Sequence, residues 1–160
     1  MNLNIVLVEP RIPQNVGNIS RTCAATGASL HLIEPMGFTI TDSKLKRAGL
    51  DYWSMLDISV YADTEEFFKT NEGPFFFFTT KAKEVYTKAS FESGCYLVFG
   101  REDAGLDESL LMSGKGINIR LPMVEDSRSL NLSNAVAVAV YEALRQNEFD
   151  GLLSSSPRSL

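Results

Sequence analysis

Short apolar segments alternate with longer segments of mixed polarity along the chain. Continuous apolar runs bounded by turn residues are typical of strands that are buried on both faces, as in parallel sheets covered by helices. The predicted strands are Asn4–Val8, Leu30–Ile33, Phe75–Thr79, Cys95–Phe99 and Ile117–Leu121, with Ile58–Tyr61 as a further candidate. The predicted helices are Gln14–Thr26, Ser43–Ala48, Asp63–Thr70, Glu108–Met112 and Ser133–Gln146. The alternation predicts an α/β fold, a parallel sheet flanked by helices.

The last predicted helix is apolar around its whole circumference. Its central run, Ala135–Val140, contains only alanine and valine, whereas a surface helix ordinarily has one polar face. Such a helix must be covered on more than one side. The sheet can cover one side and a second copy the other, which predicts a homodimer with this helix at the interface. A helix enclosed within a single chain is the alternative.

The length of 160 residues suits one domain with its own core. We predict a single domain over residues 1–151 and a flexible tail over residues 152–160, which are rich in serine. No apolar run approaches the roughly 18 residues of a membrane-spanning helix, and no secretory signal precedes the first strand. Cys23 and Cys95 are isolated thiols outside any metal-ligand pattern. We therefore expect a cytoplasmic protein without a metal or a membrane partner.

Three polar clusters follow predicted strands, where ligands of α/β sheets collect. In the first cluster Asn15, Asn18 and Arg21 recur every three residues and form a polar stripe on a helix. The planar fork of an arginine suits phosphate or sugar oxygens. A solvated helix face is the alternative interpretation of this stripe.

The second cluster, residues 96–106, is a strand running into a loop with two glycines that allow a ligand to approach the backbone, although a simple turn is equally consistent. The absence of GxGxxG and GxxxxGK[ST] disfavours a Rossmann or P-loop site. The third cluster, Arg120–Met123 followed by Asp126–Asn134, has more hydroxyl and amide groups than a helix cap needs, since Ser133 alone could cap. A helix entrance also suits an anionic or polar ligand. His31 lies in mid-strand and is expected to be packed rather than catalytic.

Three ordered motifs resemble a known family. They are Pro13-Gln14-Asn15-x-Gly17-Asn18-x-x-Arg21, Phe99-Gly100-x-Glu102-x-x-Gly105-Leu106, and Arg120-x-Pro122-Met123 followed by Ser127–Asn134. In this order the motifs resemble the SPOUT superfamily of RNA methyltransferases. The resemblance is closest to the small tRNA 2′-O-methyltransferases that modify a cytidine or uridine at the first anticodon position, and it covers about residues 3 to 151.

The resemblance implies a SPOUT fold with a C-terminal trefoil knot, a homodimer, and a tRNA anticodon stem-loop as substrate. It also implies S-adenosylmethionine (AdoMet) as cofactor, with S-adenosylhomocysteine as product and no metal. By position, the implied cofactor-lining residues are Phe78, Thr79, Gly100, Glu102, Leu121, Met123, Ser129 and Leu130.

The resemblance also implies roles for individual side chains. Arg21 matches an arginine with two possible roles in the family: it binds the adjacent phosphate and stabilises the developing alkoxide, or it acts as the base. We favour the first role, because a free arginine stays charged. Asn131 and Ser129 would orient substrate and cofactor as further catalytic residues. The implied substrate-binding residues are Asn15, Asn18, Arg128 and Tyr141, of which Tyr141 is equally consistent with dimer packing.

Two features depart from the family pattern. Close relatives usually continue after the loop glutamate with Thr, Arg and Gly, whereas here Glu102 is followed by Asp103 and Ala104, so a basic contact is either missing or supplied by Arg101. The formal net charge of −5 gives little general attraction for tRNA. Affinity would then come from a local patch summed over two subunits, drawn from Arg11, Arg21, Lys44, Lys46, Arg47 and Arg128.

The departures leave three alternatives. A non-catalytic RNA-binding protein of the same fold and a 2′-O-methyltransferase of a different RNA site both keep the resemblance. A nucleotide-dependent oxidoreductase is opposed by the missing glycine fingerprint.

Overall fold

The computed structural model describes residues 1–39, 56–153 and 155–156. Its strands are β1 (Asn4–Val8), β2 (Ser29–Ile33), β3 (Ile58–Tyr61), β4 (Phe75–Phe78), β5 (Glu84–Val85), β6 (Tyr96–Phe99) and β7 (Ile117–Arg120). Its helices are α1 (Pro13–Thr26), α2 (Thr64–Thr70), α3 (Glu108–Leu111) and α4 (Leu132–Gln146). A 3₁₀ turn over Tyr86–Lys88 follows β5.

The described strands form one sheet in the order β3-β2-β1-β6-β4-β7-β5. Every neighbouring pair among them is parallel. Strand β1 lies between β2 and β6, and Asn4 is in register with both Ser29 and Tyr96. Strands β2 and β3 follow one another on one side of β1, and strands β4 to β7 lie on its other side. The strand order therefore switches direction between β1 and β6. Ligands of parallel sheets bind beside such a switch, at the carboxyl ends of the strands.

Helices cover both faces of the sheet. Ile5 and Leu7 of β1 belong to the core packed against α1 and α4, whereas Val6 and Val8 belong to the core packed against α2 and α3. Successive side chains of a strand point to opposite faces. The two cores therefore explain why the strand segments are apolar at consecutive positions, and they confirm the predicted α/β class with a parallel sheet flanked by helices.

The predicted elements within the described residues are confirmed, and each boundary differs by at most one residue. The further candidate Ile58–Tyr61 is an edge strand. The sequence reasoning missed β5, a pair of residues on the opposite edge that begins with the exposed Glu84 and so has no apolar signal. The predicted helix Ser43–Ala48 lies outside the described residues.

One face of α4 is buried and the opposite face is not. The buried residues are Ser133, Val136, Ala139, Val140, Ala143 and Leu144. Val138 and Tyr141 are 43% and 50% exposed. The alternative that a single chain encloses this helix is therefore wrong, and the exposed face is available to another molecule.

The chain after α4 stays packed slightly beyond the predicted domain boundary at residue 151. The Leu152 N–H donates to the Phe149 carbonyl at 2.9 Å, and Leu152 packs against the core shared with α1 and α4. Among the described residues, no helix combines the length and apolarity needed to cross a membrane.

Candidate active site

A hollow, named the larger cavity because the second one described below is smaller, lies at the carboxyl ends of β4, β6 and β7. Its volume is about 580 Å³, within the roughly 300–1,000 Å³ of small-molecule sites. Every residue predicted to line the cofactor lies on it: Phe78, Thr79, Gly100, Glu102, Leu121, Met123, Ser129 and Leu130. Asn15, Arg128 and Asn131 line the same cavity. The fold thus brings together all three sequence motifs at one edge of the sheet.

The loop after β6 folds back on itself along one wall of this cavity. Arg101 and Gly105 form an antiparallel bridge in which the Gly105 N–H donates to the Arg101 carbonyl at 2.8 Å. Gly105 has φ +72°, a left-handed conformation that favours glycine. A Cβ atom on Gly100 would clash with the carbonyl carbon of Gly105. Glycine at position 100 therefore lets the loop close tightly beside the cavity.

The carboxylate of Glu102 sits at the start of α1. It accepts hydrogen bonds from the Arg11 N–H at 2.8 Å, the Ile12 N–H at 3.1 Å and the Asn15 side-chain amide at 3.1 Å. The N-cap residue of α1 is Ile12, whose side chain has no acceptor atom. Glu102 therefore satisfies the N–H of the N-cap residue and of the residue before it, the task that a glutamate at the third helical position performs in a capping box. It lines the predicted cavity, while its oxygens bind the helix entrance.

Asn15 and Asn131 connect this arrangement to α4. The Asn131 side-chain amide donates to Asn15 Oδ1 at 3.0 Å. Asn131 Oδ1 accepts from the Ser133 N–H at 2.9 Å and the Ser133 hydroxyl at 2.7 Å. Asn131, and not Ser133 as the sequence suggested, is thus the N-cap of α4. A continuous set of hydrogen bonds joins one residue from each of the three motifs.

The smaller hollow lies between α1 and α4 and has a volume of about 320 Å³. It is lined by Asn18, Arg21, Thr22, Ala25, Ser133, Asn134, Ala137 and Tyr141. The structure therefore groups the predicted residues Arg21, Asn18 and Tyr141, and it separates them from Asn131 and Ser129 in the larger cavity. The first turn of α4 contributes to both hollows.

Asp103, which departs from the family pattern, pairs at the cavity rim with Arg101, the residue that could replace the missing basic contact. Arg101 donates through Nε and Nη2 to the Asp103 carboxylate at 2.9 and 2.7 Å, and its Nη1 lies 3.8 Å from Glu9. This pairing raises the pKa of Arg101 and lowers the pKa of Asp103. Sequence reasoning missed Lys81, which lines the cavity just after β4 and pairs with Glu108 at 2.7 Å. Its position beyond a strand end was the available signal.

The single histidine belongs to a buried hydrogen-bonded group outside both hollows. His31 Nδ1 lies 2.9 Å from the Tyr61 hydroxyl, and Nε2 lies 3.2 Å from Asn4 Oδ1. Desolvation lowers the pKa of His31, and the charge of Asp57 partly opposes this effect. His31 is buried in the sheet, which confirms the expected packed position.

Both cysteines are buried in the core. Burial raises the pKa of Cys23 to about 12 and that of Cys95 to about 11. Their thiols stay protonated at neutral pH, so neither provides the thiolate that thiol chemistry needs. Within the described ranges, no group of histidine, cysteine and carboxylate side chains is arranged to hold a metal. Lys44, Lys46 and Arg47 of the predicted basic patch lie outside those ranges.

A family model matches most of the chain. Residues 2–141 match the SpoU rRNA Methylase family. The chain belongs to this family. Among SpoU relatives, the tRNA (cytidine(34)-2′-O)-methyltransferase of Escherichia coli (strain K12) is 50% identical over 151 residues, covering 93% of this chain and 96% of the relative. The enzyme of the same name from Yersinia pestis is 48% identical over 158 residues, covering 94% and 98%.

Solved structures of SpoU relatives share the fold. One, described as giving structural insights into the 2-OH methylation of C/U34 on tRNA, has a TM-score of 0.88 and 43% identity, covering 92% of this chain and 97% of its own. An AdoMet-bound rRNA methyltransferase from Sinorhizobium meliloti has a TM-score of 0.81 and 26% identity, covering 90% of this chain and 56% of its own. The resemblance to RNA methyltransferases of the SPOUT type is thereby confirmed.

Proposed function

We propose that this SpoU family member transfers a methyl group from AdoMet to the 2′-oxygen of a cytidine or uridine at the first anticodon position of tRNA. The observation that carries the proposal is the larger cavity, where segments from all three motifs meet at the carboxyl edge of the sheet. Relatives that are about half identical over nearly the whole chain have the corresponding name, which supports the choice of substrate.

The residues of the larger cavity fit AdoMet. Phe78, Phe99 and Leu121 provide apolar walls for a purine ring, while Thr79 and Ser129 provide hydroxyl groups near them. An AdoMet-bound structure among the relatives supports this occupant. When bound, AdoMet supplies an electrophilic methyl group, and S-adenosylhomocysteine remains after transfer.

We assign different roles to the side chains of the two hollows. Arg21 binds a phosphate next to the target ribose and stabilises negative charge that develops on its 2′-oxygen. Asn131 and Ser129 orient the ribose and the cofactor, because correct placement of the reacting atoms supplies much of the rate. The proton of the hydroxyl leaves to solvent. Asn18, Arg128 and Tyr141 contribute further RNA contacts.

The proposed assembly is a homodimer in which each chain has a C-terminal trefoil knot. The exposed Val138 and Tyr141 on α4 support a second copy on this face, since an apolar helix face favours coverage. A copy docked there would also border the smaller hollow and place Arg21 near the subunit boundary. Because tRNA is the substrate, a cytoplasmic location is part of the proposal.

The deciding experiment measures transfer of labelled methyl from AdoMet to tRNA that lacks ribose methylation at the first anticodon position, with nuclease mapping of the label. We expect label on the 2′-oxygen of that nucleotide. Label elsewhere would keep the enzyme class and overturn the substrate site. Absence of label, together with measured binding of S-adenosylhomocysteine, would favour a non-catalytic RNA-binding protein.

Substitution of Arg21 separates catalysis from cofactor binding. We expect Arg21→Ala to reduce turnover by about a hundredfold or more, since it removes charge stabilisation at the developing alkoxide. Its affinity for S-adenosylhomocysteine, measured by calorimetry, should stay unchanged because Arg21 does not line the larger cavity. Arg145→Ala is the matched control, an arginine on α4 that pairs with Glu142. Unchanged turnover in Arg21→Ala would contradict the mechanism.

A further inference from the structure

We propose that Asn15 is a positioning residue: anchored by Glu102, it holds the side-chain amide of Asn131 in one orientation and does not itself bind RNA or cofactor. The inference rests on the proposed function, because it assigns a task at the same site. It replaces the role of RNA ligand that the sequence suggested for Asn15.

The polar atoms of Asn15 are engaged within the protein. The residue is 4% exposed. Its Nδ2 donates to Glu102 Oε1 at 3.1 Å, and its Oδ1 accepts from the Asn131 amide at 3.0 Å. Both ends of the side chain therefore have partners, and little of its surface is left for a substrate.

Glu102 and the start of α4, the two ends of this series of hydrogen bonds, fix which atom donates in each bond. An ionised carboxylate only accepts, so Asn15 must turn its NH₂ group toward Glu102 and its oxygen toward Asn131. Backbone N–H groups only donate, so Asn131 must turn its oxygen toward the start of α4, where the N–H groups of Ser133 and Asn134 lie at 2.9 and 3.4 Å. Glu102 at one end and the N–H groups of α4 at the other are satisfied by a single arrangement of the two amides. This agreement removes the usual ambiguity in placing amide oxygen and nitrogen.

This orientation limits what Asn131 can offer a ligand. Its oxygen already accepts from the first turn of α4, and one of its two N–H groups is used by Asn15. The remaining N–H belongs to a residue on the wall of the larger cavity. A single N–H donor binds an oxygen acceptor, such as a ribose oxygen or a carboxylate. A reversed amide would present an oxygen to that acceptor and repel it.

Asn15→Asp tests this role because it keeps the size of the side chain and the acceptor for Asn131. The new carboxyl would face the Glu102 carboxylate, and two adjacent carboxylates hold a proton more tightly than either alone. Other charges nearby are paired with each other, Glu9 with Arg11 and Arg101 with Asp103. At low pH the added proton restores the donor toward Glu102, and at high pH repulsion separates the two groups.

The first readout is binding of S-adenosylhomocysteine measured by calorimetry. For Asn15→Asp we expect an affinity about tenfold below that of the unmodified protein at about pH 8. At about pH 5.5 the affinity should return to that of the unmodified protein. The matched control is Gln14→Glu, which adds the same charge at the adjacent, exposed position of α1, and its affinity should follow the unmodified protein. Any change in the KM for tRNA should show the same pH dependence and vanish at pH ~5.5, since Asn15 acts on a substrate only through Asn131.

The second readout needs neither cofactor nor tRNA. The side-chain amide resonance of Asn131 in a nitrogen–proton NMR spectrum is assigned through its loss in Asn131→Asp. We expect this resonance to titrate with pH in Asn15→Asp and to stay fixed in Gln14→Glu, with both variants checked by circular dichroism to be folded. Should Asn15→Asp unfold, Glu102→Ala tests the same anchor, because loss of the acceptor for Asn15 Nδ2 should displace the Asn131 resonance.

Two results would overturn the inference. One is an Asn131 resonance that is insensitive to both substitutions. The other is a KM for tRNA that is raised to the same extent at every pH in Asn15→Asp while cofactor affinity stays unchanged, which would make Asn15 an RNA ligand. Failure of the unmodified protein to methylate tRNA would instead reject the proposed function. The NMR experiment would still test the contact between Asn15 and Asn131, because it uses neither cofactor nor tRNA.

Discussion

At the scale of single residues, the hydrogen bonds around His31 are consistent with one neutral tautomer. Asn4 donates through its amide to the carbonyls of Gly94 and Cys95, so its Oδ1 is left to accept from His31 Nε2. Tyr61 then donates its hydroxyl hydrogen to His31 Nδ1. In this tautomer the proton is on Nε2, and protonation of Nδ1 would add a second donor to the Tyr61 hydroxyl, which already accepts from Asn71.

His31 is expected to make the protein less stable in mild acid. Its pKa is lowered in the folded state, mainly by desolvation, so the unfolded chain binds the proton more tightly. The free energy of unfolding should therefore fall as the pH drops below about 6.5, the unperturbed value. Urea denaturation at a series of pH values measures this.

A control for this dependence is available because the chain has one histidine. In His31→Gln the curve between about pH 7 and about pH 5.5 should be flatter than that of the unmodified protein. Equal slopes for the two proteins would show that other groups cause the loss of stability.

At the scale of elements, α1 depends on a residue far along the chain. Proline in the first turn favours a helix start, yet Ile12 cannot cap it, and the acceptor comes from Glu102 in the loop after β6. The entrance of α1 and the wall of the larger cavity are consequently one structural unit.

Glu102→Ala should destabilise the protein by about 2 kcal/mol, because it leaves helix-entrance donors without their acceptor. Asp103→Ala, which removes the adjacent exposed carboxylate, should leave the free energy of unfolding close to that of the unmodified protein, since exposed ion pairs contribute little. Chemical denaturation of the two variants provides the comparison. Equal losses would contradict the capping role of Glu102.

The elements themselves were largely predictable from the sequence. Strands buried on both faces are apolar at successive positions, and α4 shows a long apolar run, so their boundaries are marked in the sequence. Strand β5 was missed because Glu84 and Val85 are too few to form a pattern. The cap of α4 could not be chosen from the sequence, because Ser133 and several neighbouring polar residues could each serve and local sequence does not choose among them.

At the scale of the whole molecule, the exposed face of α4 predicts association of two copies. Val138→Glu would place a charge in the proposed interface, where desolvating it without a partner is unfavourable. We expect this variant to be a monomer by analytical ultracentrifugation, whereas the unmodified protein sediments as a dimer. Met112→Glu, at a position 85% exposed and outside α4, is the matched control and should remain a dimer. A dimeric Val138→Glu variant would reject this interface.

The sequence by itself determined the α/β class, the alternation of strands and helices, and the three motifs that point to the SpoU family. These depend on local periodicity and on residue types at short spacing, which a single chain displays directly. Tertiary structure alone decided that Glu102 caps α1, that Asn15 bonds to Asn131, and that Arg21 and Asn131 lie on different hollows. Asn15 is separated from Glu102 by 87 positions and from Asn131 by 116. Contacts over such separations arise from the packing of α1 and α4 on the sheet, which spacing along the chain does not encode.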